Sequence, residues 1–70
     1  MRIKLSDYSK PDFIKIIREW TELTQEEFGK EIGKSGQTIS DYESGKTKYN
    51  IDTLKKISEK FKIEIIAEKK

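Results

Sequence analysis

Gln37, Ser40, Asp41 and Ser44 follow one another at spacings of three, one and three residues. On a helix these positions share one face. Their side chains are hydrogen-bonding and mostly compact, a set suited to reading base edges in a DNA major groove about 12 Å wide. An isolated polar helix face is usually only solvated, so this one gains meaning from what holds it in place. Other chemistries lack their residues. The 70 residues contain no Cys and no His, which removes thiolate nucleophiles, disulfides, the commonest general base and the usual zinc ligands. The remaining Asp, Glu and Lys are dispersed at spacings that ordinary surface pairs produce. No enzyme, metal or cofactor is expected.

Composition bounds the rest. A single domain over residues 1–70 is expected, with a thin core: hydrophobic residues make up 33% and charged ones 40%. No apolar run approaches the roughly 20 residues of a membrane span, so a membrane partner is not expected, and the Cys-free composition fits a cytoplasmic location. The formal charge of +2 is small. Its distribution says more: residues 21–33 carry net −3, residues 34–48 net +1 and residues 54–70 net +3.

The face at 37–44 needs elements to carry it. Met1–Leu5 alternates apolar and charged residues, predicting a strand over 2–5. Ser9 can cap a helix, Pro11 suits a first turn and Asp12 favours the positive helix end, predicting a helix over about 11–22. Phe13, Ile17 and Trp20 supply its inner stripe, widened by Ile14 and Ile16. Thr24 and Glu27 form a capping box for a helix over 25–32, with Phe28 and Ile32 inward and Gly33 ending it. Ser35 caps a helix over 36–44, with Ile39 and Tyr42 inward and Gly45 as its stop. A fourth helix is predicted over 51–61, with Leu54, Ile57, Ser58 and Phe61 on one face, followed by a strand over 62–68. Ile3 and Leu5 can pair with Ile63 and Ile65 inside one chain or extend a sheet across a dimer.

The two helices around Gly33-Lys34-Ser35 are joined too tightly to lie antiparallel, which implies a helix-turn-helix corner. Such a crossing requires a small residue, and Gly29 supplies it. The run L-T-Q-E-E-F-G-K-E-I-G-K-S-G-Q-T-I-S-D-Y-E-S-G-K, residues 23–46, closely resembles the lambda-repressor-like helix-turn-helix family, also called the Xre type. The likeness extends from Ile17-Arg18 through Thr53-Leu54 toward Phe61; T-Q-E-E-F-G and T-I-S-x-Y-E-x-G-K are its most specific pieces.

The resemblance implies a mainly α fold, a compact bundle of four or five helices, here with short terminal β-strands added. It implies a regulator that binds double-stranded operator DNA, usually as a homodimer, with repression as the expected outcome. Gly36, Gln37 and Asp41 match the family's base-reading positions, and Ser40 joins them on the same face. Gln37 can pair bidentately with adenine, and Asp41 can accept from the cytosine amino group. Gln25 matches a phosphate-binding glutamine at a helix start, where free N–H groups attract an anion. Lys46 and Lys48 match phosphate-contacting positions, and Thr47, Lys34, Ser35 and Thr38 complete the expected phosphate set. Arg18 and Glu43 match an ion pair that joins the first helix to the third.

The chain departs from the pattern at Lys34, Gly36, Asp41 and Tyr49, which replace respectively an apolar turn residue, a larger reading residue, a basic or amide residue and a proline. Tyr49 can pack on the fourth helix or reach the DNA backbone. The alternative reading is an antitoxin-like or mobile-element accessory protein that acts mainly through a protein partner such as a toxin. The acidic segment 21–33 keeps that reading open.

Overall fold

Side chains that accept hydrogen bonds from free backbone N–H groups fix three of the helix starts. In the computed structural model, which describes residues 1–7, 10 and 12–66, Thr24 Oγ1 accepts from the Glu27 N–H at 3.1 Å, and the Glu27 carboxylate accepts from the Thr24 N–H at 2.9 Å. This reciprocal box opens helix α2 (Gln25–Glu31). Ser35 opens α3 (Gly36–Ser44) by accepting from the Thr38 N–H at 3.1 Å. Asn50, not anticipated as a cap, opens α4 (Ile51–Phe61) by accepting from the Thr53 N–H at 2.9 Å.

Helix α1 (Phe13–Thr21) starts later than expected, with Asp12 at its N-cap position but making no side-chain cap bond. The Ser9 cap and the Pro11 first turn lie outside the described residues. The helix exits use left-handed backbone: Gly33 at φ 72° and Gly45 at φ 81°, but also Glu22 at φ 62° and Lys62 at φ 54°. Glycine adopts that conformation at little steric cost, whereas Glu22 and Lys62 hold it against a Cβ penalty.

The core comprises Ile3, Phe13, Ile14, Ile17, Phe28, Ile32, Ile39, Tyr42, Leu54, Ile57 and Ile63, with Met1, Leu23, Tyr49, Phe61 and Ile65 packed at its margin. The Phe28 and Phe61 rings stack with centroids 4.9 Å apart, joining α2 to α4. Two expected core residues are not in it. Ile16 and Trp20 are each 51% exposed. They sit one turn apart on the outer side of α1, because the inward direction runs through Phe13, Ile14 and Ile17 and continues into Arg18.

Strand β1 (Arg2–Lys4) pairs in parallel with strand β2 (Glu64–Ile66), Ile3 opposite Ile65. The four helices between them form the crossover that a parallel pair requires. The strands thus pair within one chain. Both are shorter than expected: Leu5 belongs to a 3-10 turn (Leu5–Asp7) and is 37% exposed, while Lys62 and Ile63 precede β2. Residues 67 and 68 of the expected strand lie outside the described residues. Ile63 is nevertheless buried, held by its N–H donating to the Ser58 carbonyl and its own carbonyl accepting from the Ser58 hydroxyl at 2.7 Å.

Candidate nucleic-acid interface

The corner between α2 and α3 closes at Gly29. A Cβ there would sit 2.6 Å from the Lys34 carbonyl oxygen and 3.1 Å from the Ile39 side chain. The Gly29 carbonyl in turn accepts from the Lys34 N–H at 2.7 Å and the Ile32 N–H at 3.0 Å. A side chain at this point would push the turn away from α2, so the small residue sets how closely α3 approaches. Phe28, Ile32, Ile39 and Tyr42 are buried beneath.

A second constraint fixes α3 against α1. Arg18 donates from Nε to Glu43 Oε2 at 2.6 Å and from a terminal nitrogen to Glu43 Oε1 at 3.1 Å. Its other terminal nitrogen donates to the Leu23 carbonyl at 3.0 Å. The two side chains are only 17% and 7% exposed. Such a forked pair defines direction as well as distance, and the hydrogen bond to Glu43 raises the Arg18 pKa above its ordinary value. Gln25 joins this network, its side-chain N–H donating to Glu43 Oε1 at 3.2 Å. This link joins the first residue of α2 to α3, and no local spacing signals a contact across 18 residues of sequence.

The face of α3 divides by exposure. Gln37 and Ser44 are exposed, Ser40 and Asp41 half-buried. The Gln37 side-chain N–H donates to Asp41 Oδ1 at 2.9 Å, and the Ser44 hydroxyl donates to the Asp41 carbonyl at 3.2 Å. The Gln–Asp bond has the i, i+4 spacing that supports such pairs on helices, so it was readable in advance. Gly36 is half-buried at the first position of α3, and a Cβ there would lie 3.1 Å from the Cα of Glu26. Its small size therefore serves close approach of α3 to α2.

The phosphate candidates flank this face. At the start of α3, Ser35 Oγ is engaged as the cap and lies 2.9 Å from the half-buried Thr38 hydroxyl. Lys34 is half-buried beside a depression of about 560 Å³ also lined by Glu26, Lys30, Ser35, Gly36 and Gln37. After α3, Lys46, Thr47 and Lys48 are exposed, and the Thr47 N–H donates to the Asp41 carbonyl at 3.2 Å, tying their loop to α3. Tyr49 turns inward. Its ring stacks on Phe13 at 6.2 Å and meets Tyr42 edge-on at 5.6 Å, so it packs against α1 and α3.

A helix-turn-helix family model matches residues 14–66. The chain belongs to the lambda-repressor-like, Xre-type helix-turn-helix family. Comparisons with curated proteins and with solved structures yield no match. The family is one of DNA-binding transcriptional regulators, which makes this chain a helix-turn-helix DNA-binding domain. The match covers both halves of the corner, the Arg18–Glu43 pair and α4, and it runs into β2; β1 lies outside it. No helix among the described residues is long and apolar enough to cross a membrane.

Proposed function

We propose that this family member is a sequence-specific regulator of transcription, acting as a repressor, which lays α3 in the major groove of operator DNA. Gly36, Gln37, Ser40 and Asp41 face the base edges, with Gly36 reading one position through shape or water. Gln25, Lys34, Ser35, Thr38, Lys46, Thr47 and Lys48 engage the flanking phosphates. The observation that carries this reading is the polar face of α3, open to solvent at Gln37 and Ser44 while its opposite side is locked through Ile39, Tyr42 and Glu43. A reading helix must be rigid in orientation and uncovered on one side, and α3 has both properties.

The chain acts as a homodimer in this proposal, each copy reading one half-site. Selection of binding sites from random duplexes, followed by footprinting, tests it. Recovery of a palindrome with half-site centres about 34 Å apart supports both the groove contact and the dimer. Recovery of no preferred sequence overturns the assignment.

A second reading, an accessory protein acting through a protein partner, draws on the outer face of α1, where Ile16 and Trp20 stand half-exposed one turn apart. A stoichiometric protein partner in a pull-down, with no retention on DNA at low salt, would favour it.

A further inference from the structure

Gln37 and Asp41 are bonded to each other on the face that is proposed to read DNA, and that bond has a direction. The Gln37 side-chain nitrogen lies 2.9 Å from Asp41 Oδ1. A carboxylate offers only acceptors, so the amide must turn its NH₂ end toward Asp41. Turning it over would set the Gln37 carbonyl oxygen against the carboxylate, acceptor facing acceptor. Asp41 is itself held in place: its carbonyl accepts from the Thr47 N–H and the Ser44 hydroxyl, both at 3.2 Å, and the helix below is clamped through Glu43.

We infer that Asp41 is a positioning residue that makes Gln37 select adenine and reject guanine; the inference rests on the reading of α3 as the groove-facing helix. With one amide hydrogen committed to Asp41, Gln37 presents one N–H donor and its carbonyl acceptor. Adenine offers the matching pair, the N7 acceptor and the N6 amino donor. Guanine offers two acceptors, O6 and N7, and would need both amide hydrogens of the NH₂ turned toward it. The bond to Asp41 leaves only one donor and opposes turning the amide over. Asp41 thus acts through Gln37; direct acceptance from a cytosine amino group is the competing role.

The test is site selection from random duplexes with the wild-type chain, Gln37→Ala, Asp41→Ala, Asp41→Asn and the double variant Gln37→Ala/Asp41→Ala. Circular dichroism confirms that each is folded. The wild type should enrich adenine at one position per half-site, and Gln37→Ala should lose that preference. Asp41→Ala should lower the adenine-to-guanine ratio at that same position by about tenfold, the discrimination expected of one bidentate pair. Asp41→Asn, which keeps an acceptor, should restore part of it. The double variant should match Gln37→Ala at that position.

Relaxation of a different position by Asp41→Ala would overturn the inference in favour of direct reading. An unchanged ratio would overturn it as well. In both cases a preference that depends on Gln37 would leave the assignment of the reading helix standing. If the wild type enriches no sequence, that assignment falls and the inference falls with it.

Discussion

Glu43 accepts hydrogen bonds from Arg18 through both carboxylate oxygens, at 2.6 and 3.1 Å, and so joins the last turn of α3 to α1. Glu43 Oε1 also accepts from Gln25. The three residues come from three helices, and their shared carboxylate sets how the corner stands on the rest of the bundle. With neither charged side chain more than 17% exposed, removing one partner strands the other.

Arg18→Ala should therefore destabilise the fold by about 3 kcal/mol, the lower end of the cost of breaking a buried pair. In a domain of this size that corresponds to a fall in Tm of about 12–24 °C. Thermal or urea unfolding measures it. A double-mutant cycle with Glu43→Gln should show strong coupling; additive losses would mean the pair contributes little.

Gly29→Ala should cost about 1–3 kcal/mol, because the added methyl meets the Lys34 carbonyl at 2.6 Å with backbone on both sides. Gly33→Ala has open space around the new atom, yet φ is +72° there, so the expected loss is about 1 kcal/mol from backbone strain alone. Urea midpoints at unchanged m-value compare the two. Equal losses would show that the close approach at Gly29 is not the controlling contact.

Phe28→Ala should cost about 3–5 kcal/mol, since the side chain is fully enclosed and stacked on Phe61. Trp20→Ala, at a position 51% exposed, should cost less than about 1 kcal/mol despite the larger ring. Tryptophan fluorescence offers an independent check: native emission should lie close to that of the unfolded chain.

On DNA, Gln37→Ala should weaken binding to the selected site by about 1–3 kcal/mol and leave binding to unrelated duplexes nearly unchanged. Lys46→Ala should weaken binding to every sequence alike and reduce the salt slope by about one. Titrations at several salt concentrations separate the two. Equal losses on all sequences for Gln37→Ala would reject the assigned reading face.

Acid should destabilise the protein through two exposed glutamates. The Thr24 N–H holds the Glu27 carboxyl below its ordinary pKa, and Arg2 does the same to Glu64 by hydrogen bond and charge. A carboxyl with a lowered pKa in the fold contributes stability above its unfolded pKa and loses it as pH falls through the folded one. Stability should therefore drop as pH decreases below about 4.3, and Glu27→Gln combined with Glu64→Gln should flatten that part of the profile. An unchanged acid limb in the double variant would assign the effect to other groups.

Local chemistry determined much of this molecule. Thr24 with Glu27 marks a helix start because a hydroxyl and a carboxylate three residues apart can satisfy two backbone N–H groups. Gly33 and Gly45 mark turns because only glycine enters the left-handed region without penalty. Gly29, the apolar positions 28, 32, 39 and 42, and the polar positions 37, 40, 41 and 44 outline the corner and its outer face for the same kind of reason: helical periodicity assigns each to a side.

Direction toward the core is a different matter, and only the tertiary structure decided it. The apolar stripe of α1 is wide enough to be centred in more than one way, and the fold centres it on Phe13, Ile14 and Ile17, leaving Ile16 and Trp20 outward. Tyr49 reads locally as a loop residue, but stacking on Phe13 and Tyr42 draws its ring inward. The parallel pairing of Ile3 with Ile65 and the link from Gln25 to Glu43 join residues far apart in the chain. Such contacts depend on where whole helices end up, and no local pattern of residues encodes that.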